Sequence, residues 1–289
     1  MIAFLVLTLI AVPAVQTPGR LEATIRSIIS GSGAEVAVAF RTLDGKSAVL
    51  IDADKPFHAA STMKVPVMIE LFRQADAGKL TLDEPLLIRN EFRSIVDGSP
   101  YTLSEGDDSD REVYANAGKT MTLRALNDAM ITVSSNFAAN LLIERVGVEN
   151  IKSTVHTLGA DGMKVLRGVE DDKAFAKGLN NETTARALAI LFEKLATQNA
   201  VSPAADREMI EVLKRQKFND AIPAGVPAGT AVAHKTGSIT RIQHDGGIVY
   251  GPRPYVLVVL VRGLQDEKVS KALIAAISRA VWEHTAAPE

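Results

Sequence analysis

Ser61 and Lys64 stand three positions apart in "AASTMKVPVMIELF", residues 59 to 72, at the front of a strongly apolar stretch. On a helix, positions i and i+3 share a face about one turn apart, so the lysine amine can reach the serine hydroxyl. That geometry suits an activated nucleophile. The hydroxyl must lose its proton as it attacks, and a neutral lysine, or a relay through it, can accept that proton. The start of a helix also offers free N–H groups and the positive end of the dipole to a developing oxyanion. Serine is equally a good N-cap and lysine a good helix former, and a Ser-x-x-Lys match arises by chance about once in a chain of this length. The pair alone does not establish chemistry.

Two further stretches bear on it. Ser134-Ser135-Asn136 opens a helical pattern, "SSNFAANLLIERVG", and Lys235-Thr236-Gly237 falls in "AVAHKTGSI", which has the pattern of a strand. Taken singly, Ser134 would be an N-cap and Lys235 a sheet-edge charge. In this order, on helix start, helix start and strand, the three motifs resemble those of the penicillin-recognising serine hydrolases, above all class A β-lactamases. The stretch "MITVSSNFAANLLIERVG" looks like the corresponding class A helix over most of its length, and the resemblance covers nearly all the chain from about residue 20.

The resemblance implies an α/β (α+β) fold of the β-lactamase/D,D-peptidase type, with a five-stranded antiparallel sheet flanked by helices and an all-helical domain. It makes Ser61 the acylated nucleophile and Lys64 its proton partner. Ser134 relays a proton to the leaving nitrogen, and Asn136 hydrogen-bonds the substrate amide. Lys235 supplies positive charge near Ser134 and the substrate carboxylate, Thr236 helps to bind that carboxylate, and Gly237 belongs to the same substrate-binding segment. The backbone N–H groups of Ser61 and Ser238 form the oxyanion hole, and Glu170 activates the deacylating water. The implied substrate is a small β-lactam or a peptidoglycan-like molecule, with no metal or organic cofactor.

The match has breaks. Ser135 stands where class A enzymes usually carry aspartate, so a local network there is expected to be rearranged. Glu170 lies in "LRGVEDDKAFAKGLNNETT", but position 174 is alanine where the family has an asparagine partner. Asn180 or Asn181 is a substitute whose register no longer fits Glu170. The competing reading of Glu170-Asp171-Asp172-Lys173 is a solvated charged loop. The segment between the first two motifs is long, with Tyr101 and Tyr114 as wall or packing residues, and its acidic stretch "SEGDDSDRE" reads as a solvated loop. Arg241 and His244 are candidates for a substrate carboxylate or for plain turn positions, and Trp282 is a packing residue.

These side chains must be positioned by a fold that 289 residues, 47% of them hydrophobic, can support. A formal net charge of −2 gives no basic excess for nucleic acid. The absence of cysteine removes disulfides and thiolate chemistry, and the five histidines are scattered without a His-x-x-x-His pair. Val36, Val38 and Phe40, the Asp44-Gly45 turn, and Val49 and Ile51 predict a hairpin. Helical periodicity then dominates to about residue 217, strands return from 231 to 263, and an amphipathic helix closes the chain. The expected organisation is a discontinuous sheet domain, 20–56 with 223–289, and a helical domain, 57–222. Residues 1–19 read as a signal peptide and linker, with Val12-Pro13-Ala14 as its cleavage site. A membrane anchor or a buried first helix are the alternatives. The expectation is an exported monomer without stable membrane insertion after processing. A peptidoglycan D,D-peptidase or related amidase or esterase, and a penicillin sensor that stays acylated, remain as rivals.

Overall fold

The computed structural model describes residues 18–287, so the apolar run on which the export reading rests lies outside the described residues. Helix α1 (Pro18–Ser30) is followed by the hairpin of β1 (Glu35–Thr42) and β2 (Ala48–Ile51). Gly45 takes φ 73° at the turn, where Asp44 accepts from the Lys46 N–H at 3.0 Å. The helical block contains α2 (Lys64–Asp76), α3 (Leu123–Thr132), α4 (Asn136–Val146), α5 (Val148–Thr157), α6 (Ala185–Ala196) and α7 (Pro203–Lys214). Sheet returns as β3 (Ala231–Ile239), β4 (Ile242–Tyr250) and β5 (Tyr255–Arg262), and α8 (Glu267–Ala286) ends the fold.

Hydroxyl caps set where the helices begin. Thr122, Ser135, Thr184 and Ser202 accept from the N–H groups of Ala125, Ala138, Ala187 and Ala205. Each capping residue keeps a non-helical backbone, so the helix begins at the residue after it.

The sheet runs β2-β1-β5-β4-β3, antiparallel throughout, so the two ends of the chain meet where β1 pairs with β5. Both faces are covered, which explains why β5 reads as an unbroken apolar run rather than an alternation. Ala37, Ala39, Val256, Val258 and Leu260 face Leu188, Leu191 and Phe192 of α6. Val38, Phe40, Leu257 and Val259 face Ile25 of α1 and Ile274, Ile277 and Val281 of α8. Truncating a fully buried side chain such as Ile277 to alanine costs about 2–5 kcal/mol by analogy with other cores. Such packing fixes the sheet, and β3, its edge strand, turns its free side toward the start of α2.

Candidate active site

Ser61 lies in a 3₁₀ turn, Ala60–Met63, immediately before α2. In that tighter coil, positions i and i+3 nearly eclipse, which brings Lys64 Nζ to 3.1 Å from Ser61 Oγ. The serine does not cap the helix, so its hydroxyl is left to the lysine. Ala60 is held at φ 46°, a conformation disfavoured for a residue with a Cβ. Gly237 of β3 explains how closely strand and turn approach. A Cβ there would sit 3.2 Å from the Ser61 nitrogen and 3.1 Å from Thr62 Cγ2. The edge strand thus passes directly beside the Ser61 N–H.

Lys64 is fully buried and has four oxygens around its nitrogen. The Ser134 carbonyl, at 2.6 Å, and Asn136 Oδ1, at 2.8 Å, are acceptors only. Ser134 Oγ, at 3.2 Å, and Ser61 Oγ are hydroxyls that can either accept or donate. A neutral amine can give two N–H bonds to the obligate acceptors and keep its lone pair for the Ser61 hydroxyl. Burial drives Lys64 down to about 7, partly opposed by the negative charges of Asp108 and Glu170. Both protonation states are therefore populated near neutral pH.

Ser134 sits at φ 62° in the tight connection between α3 and α4. The strained backbone aims its carbonyl and hydroxyl into the cleft, at a cost of order 1–3 kcal/mol for such a residue. Lys235 donates to Ser134 Oγ at 3.0 Å and to the Thr236 carbonyl at 2.9 Å. It is no sheet-edge charge: it is fully buried, and burial, with Lys64 as a second cause, pulls it well below the ordinary lysine value. Ser134 Oγ thus bridges two buried amines. Thr236 and Ser238 line the same cleft, and Gln243 Nε2 holds Ser238 Oγ at 2.6 Å.

Glu170 reaches this group through Asn136, whose Nδ2 donates to Glu170 Oε1 at 2.7 Å. The carboxylate is half-buried, and burial raises its pKa above the ordinary value, with Asp108 and Asp107 adding to the rise. Glu170 and Ser61 line one lobe of the cleft, while Ser61 and Thr236 line the other. Glu170 and Asp171 do not lie in a solvated loop. Asp171 is buried and accepts from Ser94 Oγ, the Ile95 N–H and the Ala174 N–H at 2.8–3.1 Å. Only Asp172 and Lys173 of that run are exposed.

The loop around Glu170 closes where Lys164 and Glu182 exchange backbone hydrogen bonds at 2.8 and 3.0 Å. Neither alternative asparagine meets Glu170. Asn181 is buried and bonds the main chain of Leu166 and Arg167, while Asn180 contacts the Arg167 side chain at 3.4 Å. Ala174 is fully buried and brings no polar group.

Arg241 and His244 are not placed as free carboxylate binders. Arg241 folds onto the Gly263 carbonyl at 2.8 Å outside the cleft's two lobes. His244 lines the cleft but is almost wholly buried; burial drives it down to about 4, and its Nε2 lies 2.9 Å from the His58 carbonyl. Tyr101 and Tyr114 pack on Phe92 and Phe137, with ring centroids 5.8 and 4.8 Å apart. Trp282 packs against the sheet-side core.

Sequence reasoning passed over two residues. Asn140 accepts from the Val169 N–H at 2.7 Å and donates to the Val169 carbonyl at 3.0 Å, fixing the residue before Glu170. Its helical spacing on α4, four residues beyond Asn136, was the available signal. Asp108, from the supposedly solvated acidic stretch, accepts from the Asn136 and Phe137 N–H groups at the start of α4. Among the described residues no group of three or more His, Asp or Glu is placed to hold a metal ion.

The model of the "Beta-lactamase enzyme family" matches residues 20–285. The chain belongs to the β-lactamase enzyme family. A β-lactamase of Bacillus licheniformis is 34% identical to this family member over 238 residues, 80% of this chain and 72% of the relative. An ancestral class A β-lactamase, reconstructed for Gram-negative bacteria, superposes with a TM-score of 0.79 at 26% identity, covering 91% of this chain and 99% of that one. A mutant of PBP-A, solved as an acyl-enzyme complex with penicillin G, gives a TM-score of 0.79 at 26% identity, covering 94% and 98%. In family and fold the chain is thus class A β-lactamase-like. Its five-stranded antiparallel sheet is the one the resemblance implied.

Proposed function

We propose that this protein is a serine β-lactamase that opens the β-lactam amide through an acyl-enzyme on Ser61 and hydrolyses that ester with water. The observation that carries this reading is Lys64 Nζ, buried beside Ser61 Oγ and satisfied on two sides by obligate acceptors. Ser61 Oγ attacks the lactam carbonyl carbon as its proton passes to Lys64. The Ser61 and Ser238 N–H groups stabilise the oxyanion. Collapse breaks the C–N bond, and Ser134 hands a proton to the leaving nitrogen while Lys235 holds positive charge beside it. Glu170 then takes a proton from water, which attacks the ester and releases Ser61. No cofactor enters these steps. We place the enzyme outside the cytoplasm as an exported monomer, on the signal-like N-terminal sequence.

Ala174 favours a second reading, a D,D-peptidase or related amidase or esterase, because no carboxamide from that position helps Glu170 to orient water. Intact-protein mass spectrometry after mixing with benzylpenicillin, followed from seconds to hours with product release, separates the two. Many turnovers with a brief adduct support the β-lactamase; a stable adduct with little product supports the peptidase. With Glu170→Gln the β-lactamase reading requires the adduct to accumulate, its breakdown slowed by about 10²–10⁴. Undiminished turnover in that variant would reject Glu170 as the base.

A further inference from the structure

The first four N–H groups of a helix have no partner within it, and at α4 each has an identifiable one. Ser135 accounts for two: its own N–H donates to the Ala129 carbonyl at 3.0 Å, and its Oγ accepts from Ala138 at 3.2 Å. The other two, Asn136 and Phe137, donate to the Asp108 carboxylate, each at 2.9 Å to Oδ2, with Asn136 also 3.1 Å from Oδ1. That carboxylate comes from a segment 28 residues upstream of Asn136.

The segment is docked rather than loose. Ser109 Oγ donates to the Val133 carbonyl. Asp110, almost fully buried, caps the short helix Glu112–Ala115 through the Glu112 and Val113 N–H groups. Tyr114 from that helix lays its ring against Phe137, and its hydroxyl reaches the Ser104 carbonyl at 3.3 Å with Asp108 alongside.

We propose that Asp108 is a positioning residue for catalysis: it clamps the backbone of Asn136, whose side chain links Lys64 to Glu170, and brings a negative charge to both bases. The proposal rests on the Ser61 acyl-enzyme reading. Ser135 gives the helix an uncharged cap, so the charge at this end of α4 is carried by the strap formed by residues 104–116. The charged and titratable groups around Lys64 are Glu170 from the loop, Lys235 from β3 and Asp108 from the strap. Those around Glu170 are Lys64, Asp107, Asp108 and Tyr114. Those around Asp108 are Tyr114, which bonds toward it, and Lys64 and Glu170 themselves. An anion favours the protonated form of each base, so its removal makes both bases ionise or deprotonate at lower pH.

The test measures the acylation rate with a fluorescent penicillin, and the breakdown of the adduct, as functions of pH in the wild type and in Asp108→Asn, which keeps the shape and removes the charge. The acidic limbs of both profiles are expected to move to lower pH by at least about 0.3 unit. Asp108→Glu is expected to return the limbs toward the wild-type position even where the longer side chain slows the reaction. A slower enzyme with unmoved limbs would show that Asp108 only braces the helix and would overturn the proposal. Should Asp108→Asn fail to fold, Asp108→Ser offers a smaller neutral acceptor for the same comparison. Failure of the wild type itself to form an adduct would strike the acyl-enzyme reading instead, so the two failures are distinct.

Discussion

One carboxamide joins Lys64 to Glu170: Asn136 Oδ1 accepts from Lys64 Nζ at 2.8 Å, and its Nδ2 donates to Glu170 Oε1 at 2.7 Å. The proposed bases for acylation and deacylation therefore share a neutral, bifunctional bridge. Asn136→Asp removes the donor and sets a second carboxylate against Glu170, while a charged oxygen faces Lys64. Both changes favour protonated bases, so the acidic limbs of acylation and deacylation are expected to rise by about one pH unit. Limbs that stay in place, measured on the same fluorescent adduct, would mean that the bridge does not govern either base.

Lys64 itself predicts the pH dependence of acylation. Its pKa is lowered to about 7 by burial, and the amine must be neutral to accept the Ser61 proton. The neutral fraction grows as pH rises, so adduct formation is expected to increase through about pH 7 and to level off above it. Lys64→Ala should slow adduct formation by roughly 10²–10⁴ while leaving Ser61 in place. Stopped-flow rates between pH 5 and 9 would expose an error if acylation were flat across neutrality.

The parts legible in sequence are those that depend on short spacing. Ser61 with Lys64, the Ser134 and Lys235 triplets, and the Asp44-Gly45 hairpin each depend on residues within a few positions, where turn and helix geometry is local. Asp108, Asn140 and Asp171 were hidden because the partners that tie them to the site lie 28, 29 and 76 or more residues away, Asp171's bond to the nearby Ala174 N–H being only a local cap. An acidic run reads as solvated until the fold shows which helix end or loop amide each carboxylate meets. Backbone strain was also invisible. Ala60, Ser134 and Glu170 are three of the six non-glycine residues with positive φ among the described residues, and nothing in their residue types announces it. Such conformations survive because surrounding contacts over-determine them, and those contacts are long-range.

Asn140 predicts a separation of the two chemical steps. It is buried and occupies both main-chain groups of Val169, while a Cβ at Gly168 would come within 2.6 Å of its Oδ1. Asn140→Ala leaves the partly buried Val169 N–H without its partner and its carbonyl with only the Tyr101 hydroxyl at 3.3 Å, the lost N–H bond costing about 1–3 kcal/mol. The loop residue that loses its anchor precedes Glu170, whereas Ser61 and Lys64 are held from α2 and α4. Adduct breakdown is therefore expected to fall at least about tenfold more than adduct formation, together with a lower melting temperature. Equal losses in both steps would place the damage in the fold as a whole.

Gly237 predicts the opposite bias. A methyl group there would press on the Ser61 nitrogen and Ala60 Cβ at 3.2 Å and on Thr62 Cγ2 at 3.1 Å. These are parts of a fixed turn, so edge strand and turn must separate by a few tenths of an ångström. The proposed oxyanion donors sit one on each side of that contact, on Ser61 and Ser238, and a hydrogen bond to developing charge weakens steeply with misplacement. Gly237→Ala is expected to slow acylation about 10–100-fold while the sheet, whose core lies on β1, β5 and β4, keeps its stability within about 1–3 kcal/mol. Thermal unfolding and adduct formation on one preparation decide the matter. A normal acylation rate would show that the turn yields without disturbing the N–H pair, and would remove the oxyanion role from this strand.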